Sequence, residues 1–178
     1  MVDAGDLRVS RFEVTRAQWQ AFDPAYEFEP GTGNYPVNGI SFERAQEYAA
    51  WLAERTGQAI RLATEDELEP LASSADAGNT LDYWAGYTPN PDDVVLLHQA
   101  LGRLPGDAPL LRTVGSFPDD RTRSGIFDLG GNVAEWAVEA DGTGTLVGGS
   151  ADRSTDSRAR DAAAAPEYRG VRIVADAG

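Results

Sequence analysis

The sequence contains no cysteine and a single histidine, His98, among its 178 residues. The absence of thiols excludes disulfides, thiolate metal sites and cysteine nucleophiles, and it is compatible with either redox environment. One imidazole cannot build a histidine-based zinc or copper site, so neither zinc nor copper is expected. No G-x-S-x-G elbow accompanies His98, which argues against a Ser-His-Asp triad. We therefore expect His98 to be a surface or packed residue and not a ligand.

Basic residues are scarce, because 15 Lys and Arg face 29 Asp and Glu, for a net charge of −14. Such a surface repels nucleic acid and anionic membranes, and it either favours cationic partners or serves solubility alone. No apolar run reaches membrane-spanning length, and the N-terminus lacks a basic-then-apolar signal pattern. We expect a soluble chain without a nucleic-acid or membrane partner, with a cytoplasmic location favoured. The start at Met1–Asp6 is what a domain cut from a longer protein would show.

The residues that are present predict one folded domain over 1–178. This length suits a single core, and 42% apolar residues with four Trp, six Tyr and six Phe argue against disorder. The clearest element is a helix over 42–56, which begins after Ser41 and ends at Gly57. Capping boxes at Thr15 and Thr64 predict two further helices.

Other elements are predicted from shorter patterns. Pro70 is expected to break or bend the helix after Thr64, and Pro89–Asp93 precedes a helix ending near Leu101. Brief apolar stretches predict strands at 7–9, 59–62, 110–117, 146–149 and 171–174.

The segment SGIFDLGGNVAEW, residues 124–136, is the part around which the chain is organised. Gly130-Gly131 permits a tight bend, and Asp128 and Glu135 flank it with carboxylates. Carboxylates and convergent carbonyls are the ligands that Ca²⁺ takes in proteins. The alternative is a buried turn between two strands, with Trp136 in the core and Asp128 bonded to nearby amides.

The same segment resembles the G-[LI]-x-[DN]-[LM]-x-G-N-V-x-E-W signature of the formylglycine-generating enzyme and sulfatase-modifying-factor family. Further blocks agree with the family in order and approximate spacing, at 13–15, 35–41, 61–69, 148–150 and 170–174. Leu68 stands where the family has Trp. The resemblance implies an α+β, loop-rich variant of the C-type lectin fold, with short helices packed on small antiparallel sheets.

The resemblance also bears on catalysis. Family members that oxidise cysteine to formylglycine use two cysteines just after G-G-S to hold copper, but residues 150–155 contain none. Cu(I) selects soft thiolates, which hydroxyls and carboxylates cannot replace, so the oxidase chemistry is not expected. Related ergothioneine-pathway enzymes use three histidines for iron, which one histidine cannot supply.

A structural calcium site is what the resemblance implies for the central turn. It would use the Asp128 carboxylate and three backbone carbonyls, with Glu135 close by. The carbonyls are those of Leu129, Gly131 and Val133. Such an ion would brace the loop without taking part in chemistry.

Two surface regions are candidates for ligand binding. Tyr83, Trp84 and Tyr87 either plug a loop onto the core or form an exposed patch that anchors a partner. Residues 150–169 mix charges and form either a solvated loop or a recognition surface. The candidate ligand-binding residues of this second region are Asp152, Arg153, Arg158, Arg160 and Arg169.

These features favour a non-catalytic recognition module for a protein or small-molecule ligand, because binding residues often lie on loops held by a rigid frame. By resemblance, such domains are attached to signalling proteins, and related lectin-like folds are the variable proteins of diversity-generating retroelements. Two alternatives stay open. One is an oxidoreductase with thiol-independent chemistry on this scaffold, and the other is a degenerate, purely structural domain.

Overall fold

The computed structural model describes residues 1–74, 79–106, 108–117, 125–154 and 163–177. Within these residues, the helices are α1 Arg16–Phe22, α2 Phe42–Thr56, α3 Glu65–Ser74, α4 Thr80–Ala85 and α5 Pro91–Leu101. The strands are β1 Val2–Ala4, β2 Leu7–Val9, β3 Ile60–Arg61, β4 Ala134–Val138, β5 Gly144–Val147, β6 Arg169–Gly170 and β7 Val174–Asp176. A 3₁₀ helix, Pro166–Tyr168, precedes β6.

The strands form two small sheets. The first has the antiparallel order β1-β2-β7-β3, so strands from both ends of the chain lie side by side. In the second, β4 lies between β5, its antiparallel neighbour, and β6, its parallel one. Short helices pack on these sheets, and the predicted α+β class is confirmed.

Helix α2 has the predicted bounds because both of its ends are encoded locally. The Ser41 hydroxyl accepts a hydrogen bond from the Arg44 N–H, and Gly57 takes the left-handed conformation that ends the helix. Its buried face includes Tyr48, whose ring stacks on Trp19 of α1 at a centroid distance of 5.2 Å. These aromatic contacts attach both helices to the core.

Helix α3 begins at the predicted capping box and continues through Pro70. Thr64 and Glu67 exchange hydrogen bonds of 2.8 and 3.3 Å. Pro70 cannot donate to the Asp66 carbonyl, but Asp66 is exposed, so water can take the place of that donor. Leu68, at the position of the family's Trp, is buried in the core.

The prediction of a strand over 110–117 is wrong. Leu110 and Leu111 are buried, and the chain then forms turns. Side chains of the central turn satisfy the backbone here, because Asn132 accepts from the Arg112 N–H and Asp128 accepts from two amides further on. No neighbouring strand is needed to pair these groups.

The closing strand is predicted over 171–174, but β7 begins only at Val174. Val171, Arg172 and Ile173 are all buried. The carbonyls of Ile173 and Val171 accept hydrogen bonds of 2.9 Å from the N–H groups of Ser10 and Val14.

The central turn joins two parts of the apolar core. Ile126 and Leu129 pack in one cluster with β2 and β7, while Val133 belongs to another with Leu81 and Leu101 of the α4 and α5 helices. In the described ranges, no helix is both long and apolar enough to cross a bilayer.

Candidate functional site

The central turn is built around two residues with left-handed backbones, Asp128 at φ 68° and Asn132 at φ 65°. Residues other than glycine rarely adopt this backbone conformation, and among them Asn and Asp tolerate it best. Both side chains are fully buried. They hold the turn by hydrogen bonds to segments far away in sequence.

Asp128 binds the loop before the turn. Its Oδ1 accepts from the Phe117 N–H at 2.8 Å, and its Oδ2 accepts from the Gly115 N–H at 2.5 Å. This is the amide bonding expected for a buried turn. Asn132 donates from Nδ2 to Glu13 Oε2 at 2.8 Å, which links the turn to the chain after β2.

Glu13 and Glu135 bring two more carboxylates into the interior. Glu13 also accepts from the Val133 N–H at 3.1 Å. Arg172 donates to Glu135 Oε1 at 2.9 Å and to the carbonyls of Ser10 and Phe127. All three guanidinium nitrogens of Arg172 therefore donate, and a smaller cation in its place would lose the backbone contacts.

This interior cluster, Glu13, Asp128, Glu135 and Arg172, has more acids than cations. Burial raises the pKa of Glu135 to about 7, although Arg172 opposes the shift. Burial, with the charges of Asp128 and Glu135 adding to it, raises the pKa of Glu13 well above its ordinary value. The pKa of Asp128 is raised by burial and lowered by its amide donors. The cluster consequently favours protons or an added positive charge.

Two of the predicted calcium ligands converge beside Gly148. Within the described residues, the buried Glu135 Oε2 has no hydrogen-bond partner. A Cβ placed on Gly148 would lie 2.5 Å from that oxygen and 2.8 Å from the Leu129 carbonyl oxygen. Asp128 differs, because both of its oxygens accept amides. Among the described residues, no group of three or more Asp, Glu, His or Cys side chains forms a metal site.

The other two residues predicted as calcium ligands belong to the same turn. Gly131 donates its N–H to the Asp128 carbonyl at 3.1 Å. Val133 donates its N–H to Glu13 and packs its side chain in the core. These contacts establish the shape of the turn.

The segment Ser150–Ser154 begins at the serine of G-G-S, and the α4–α5 unit, residues 79–101, covers it. Asn79 is the link at its start, since its Nδ2 donates to the Ser150 carbonyl at 3.2 Å and to the Arg153 carbonyl. The same side chain caps α4 by accepting from the Leu81 N–H at 2.6 Å. One residue therefore starts the helix and holds the neighbouring segment.

Two further contacts join these parts. Ser154 Oγ donates to the Pro89 carbonyl at 2.5 Å, and the half-buried His98 places Nε2 2.5 Å from the Asp152 carbonyl oxygen. His98 is thus packed against the segment. The α4–α5 unit is held at its start, middle and end.

A predicted ligand residue, Asp152, is buried in this arrangement. Its carboxylate accepts from Ser150 Oγ at 2.6 Å and from the Ala165 N–H at 3.2 Å. Ser150 and Ser154 are buried as well. Residues 150–154 are therefore a packed segment and not a solvated loop, because the side chains of Ser150, Asp152 and Ser154 are paired internally.

A surface cavity of about 610 Å³ opens beside this segment, with Asn79, Trp136, Ser150, Arg153 and Arg169 in its wall. Arg153 donates to the Ala163 carbonyl, and Arg169 Nε donates to the Ala164 carbonyl at 3.0 Å. Arg169 also lies 5.9 Å from the Trp136 ring centroid. The structure thus brings two of the four predicted arginines to one cavity. Arg158 and Arg160 lie outside the described residues.

The aromatic trio Tyr83, Trp84 and Tyr87 is exposed. The exposed fractions are 79%, 44% and 51%. The preceding residue Leu81 is fully buried and anchors α4 to the core. The alternative in which the aromatics plug the loop onto the core is therefore wrong, because the buried side chain of Leu81 packs in the core instead.

Three contributors to this region were missed in the sequence. Glu13 stands in the E-V-T block and Arg172 between two apolar residues, and neither pattern indicates burial. Asn79-Thr80 is an N-cap signal that could have located the start of α4. Its bonds to Ser150 and Arg153 join residues more than 70 positions apart, which no local pattern encodes.

Solved structures share this fold at low sequence identity. PvdO from Pseudomonas aeruginosa is 20% identical, with 96% of this chain and 80% of that chain covered at a TM-score of 0.61. CarF is 19% identical, with 97% of this chain and 87% of CarF covered at a TM-score of 0.59. Variable protein 1 of Treponema denticola is 17% identical, with 96% and 84% covered and a TM-score of 0.58. A comparison with curated proteins gives no match.

A comparison with protein families tests the resemblance directly. The sulfatase-modifying factor enzyme 1-like domain matches residues 2–177, from β1 to the end of the described chain. The lectin-like neighbours agree with that match in fold. The chain therefore belongs to the sulfatase-modifying factor enzyme 1-like domain family.

Proposed function

We propose that this chain is a non-catalytic recognition module that binds a protein or small-molecule ligand. The observation that carries the proposal is the exposed aromatic trio, Tyr83, Trp84 and Tyr87, on a unit that hydrogen bonds attach to residues 150–154. Tyr and Trp give a large contact area with few rotatable bonds, so they are efficient anchors. The cavity wall with Arg153 and Arg169 adjoins the start of this unit at Asn79.

The chemistry of residues 150–154 supports recognition over oxidation. Residues 151–155 follow G-G-S, where the oxidase branch carries copper-binding cysteines, and they contain no cysteine. Ser150 Oγ and Ser154 Oγ are both engaged in internal hydrogen bonds. One similar structure is that of a variable protein, which is compatible with a scaffold that carries a recognition surface.

Selection from a random twelve-residue peptide display library tests the recognition proposal. We expect peptides that bind the chain and lose binding at least tenfold when Tyr83 and Tyr87 are both replaced by Ser. The matched control is Phe12→Ser, which alters an exposed aromatic on another surface. Failure to enrich any peptide that depends on these tyrosines or on Arg153 and Arg169 would overturn the proposal.

The rival oxidoreductase function has its own test. The purified chain is incubated with a cysteine-containing peptide, oxygen and copper or iron, and both oxygen uptake and peptide mass are followed. We expect neither oxygen uptake above the metal-only control nor a mass change. Turnover of the peptide would contradict a non-catalytic module.

Calcium in the central turn is a further part of the proposal. The buried Glu135 Oε2, which has no hydrogen-bond partner among the described residues, is the group that supports it. The Leu129 carbonyl oxygen lies on the same side of Gly148 and also accepts from the Gly149 N–H at 3.1 Å. An ion there would neutralise part of the excess negative charge of the interior cluster and brace the turn. Asp128 does not add to this support, because amide donors take both of its oxygens.

Thermal unfolding with 1 mM Ca²⁺, Mg²⁺ or EDTA tests this part separately. We expect Ca²⁺ to raise Tm at pH 8, where Glu135 is ionised, and to have a smaller effect at pH 5.5, with little response to Mg²⁺. Glu135→Gln should abolish the shift. An equal Tm in Ca²⁺ and EDTA at pH 8 would exclude the ion and leave the recognition proposal intact.

A further inference from the structure

We propose that the outer face of the α4–α5 unit binds a basic segment of another protein that also carries apolar side chains. This rests on the recognition function proposed above and names the class of partner. The outer face is defined here by Tyr83, Trp84, Tyr87, Val95 and Leu96.

Exposed apolar side chains are concentrated on this unit. Eight large apolar residues are exposed in the described part of the chain, and six of them lie between Tyr83 and Leu104. Val95 and Leu96 are 58% and 65% exposed. Single exposed apolar residues are normal, whereas contiguous exposed apolar patches mark interaction sites, and we infer that these neighbouring residues form such a patch.

The apolar face is not left over from folding, because the two helices already have an inner apolar face. Leu81 in α4 and Val94 and Leu101 in α5 are buried in the core. Val95 and Leu96 project on the other side of α5. Helices that needed apolar residues only for their own packing would carry polar residues at those positions.

The outer face is also held in a defined shape. Asn90 Oδ1 accepts from the N–H groups of Asp92 and Asp93 at 2.9 and 3.1 Å, which caps α5. A surface ordered in advance loses less conformational entropy when a partner binds.

Charge selects the partner. The α4–α5 unit, residues 79–101, contains three Asp and no Glu, Lys or Arg. Asp82, Asp92 and Asp93 belong to the same two helices as the apolar face. A partner with basic residues around an apolar strip complements this surface, and its charges would speed association.

The same charges argue against other occupants. A second copy of the chain would bring a net charge of −14 against −14 and place acids of the two faces together. Nucleic acid and anionic lipid would be repelled for the same reason. A basic protein segment is the occupant that both the apolar and the acidic features favour.

Binding to three synthetic peptide pools tests this proposal. All pools have twelve residues with the same five Leu, Ile and Phe positions, and the other positions hold Arg and Lys, Ser and Gln, or Asp and Glu. We expect the basic pool to bind at least tenfold more tightly than the acidic pool in 50 mM KCl. This preference should fall about tenfold in 500 mM KCl, because screening weakens charge attraction.

Three variants locate the site. Tyr83→Ser with Leu96→Ser should weaken binding of the basic pool at least tenfold, and Asp92→Asn should weaken it by a factor of about two to five. Glu54→Gln, an exposed acid on α2, is the matched control and should leave binding unchanged. Circular dichroism and Tm of each variant report whether the fold is intact.

The outcomes separate the two proposals. Tight binding of the neutral or acidic pool that still depends on Tyr83 would overturn the basic-partner inference and retain a recognition surface. Basic-pool binding that all variants share equally, Glu54→Gln included, would show general charge attraction and overturn the assignment to this face. If neither this test nor the display selection gave a peptide whose binding depends on the named surface residues, the recognition function itself would be overturned.

Discussion

Arg172 illustrates how one residue can organise a buried polar cluster. Its guanidinium contacts Glu135 and the carbonyls of Ser10 and Phe127, and the ion-pair distance is 2.8 Å. A buried charge is tolerated only when it is paired and hydrogen-bonded, and this one is both. The remaining negative charge on Glu13 and Asp128 makes the cluster sensitive to protonation.

The pH dependence of stability should reveal the titration of the Glu135 carboxyl group. Its pKa is about 7 in the folded chain against about 4.5 when unfolded. Its stabilising contribution is therefore complete below about pH 4.5 and is lost as pH rises through 7. Between pH 5 and 8, we expect the free energy of unfolding to fall, with up to about 3 kcal/mol due to this group.

Glu135→Gln mimics the protonated form and removes this titration. Urea unfolding at pH 5 and pH 8 should show a smaller fall for the variant than for the unaltered chain, while Glu13 keeps part of the slope. Glu54→Gln serves as the control because its side chain is exposed. Identical slopes for the unaltered chain and Glu135→Gln would contradict the assignment.

Gly149 is required for close backbone contact. A Cβ at this position would lie 2.0 Å from the Gly130 carbonyl oxygen and 2.5 Å from its carbon. Backbone atoms cannot move aside as a flexible side chain can. We expect Gly149→Ala to lower the free energy of unfolding by about 3 kcal/mol or more.

Gly102→Ala is the comparison for that prediction. Gly102 has φ −61°, and the nearest atom to an added Cβ is at 3.6 Å. Urea unfolding should place this variant within about 0.5 kcal/mol of the unaltered chain. Equal effects of the two substitutions would exclude a steric cause at Gly149.

At the scale of elements, the α4–α5 unit depends on its caps differently at each helix. Asn79 caps α4 and also holds Ser150 and Arg153. Asn90 caps α5 through two amides, and its side-chain contacts stay within that helix start. Both asparagines cap a helix, but only Asn79 of the two also bonds to a distant segment.

Hydrogen exchange can use this difference. Asn79→Ala should increase exchange in both 80–85 and 150–154 and cost about 1–2 kcal/mol. Asn90→Ala should increase exchange near 91–94 alone, at a cost of about 1 kcal/mol. If Asn79→Ala left 150–154 unchanged, that contact would not hold the segment.

The predicted elements succeeded where neighbouring residues decide them. Ser41 and Gly57 define α2 because a cap acts within one turn of its own position. The strand over 110–117 failed because Asp128 and Asn132, distant in sequence, take its backbone donors. Apolar spacing alone carries no information about such partners.

For the whole molecule, net charge is the dominant feature. The chain has a net charge of −14 and a pI of about 4.3. Self-repulsion at this charge destabilises the compact state, and salt screens it. Surface ion pairs such as Arg44–Asp23 weaken in salt too, but each contributes little.

Thermal unfolding in increasing KCl should show whether charge repulsion or surface ion pairing has the larger effect on stability. At pH 7.5 we expect Tm to rise by several degrees between 20 mM and 1 M KCl. Near pH 4.5 the net charge is small, so the same salt increase should have a much weaker effect. A Tm that falls with KCl at pH 7.5 would mean that ion pairs outweigh repulsion.

The sequence by itself determined the family, the helix ends and the absence of thiol chemistry, because motifs, caps and composition are properties of neighbouring residues or of the whole count. Only the tertiary structure decided that Glu13, Asp128 and Glu135 meet Arg172 in the interior, that Asp152 is buried and that Tyr83 faces solvent. Burial and pairing depend on which distant segments come together. They arise from packing, which is the step that a linear pattern does not contain.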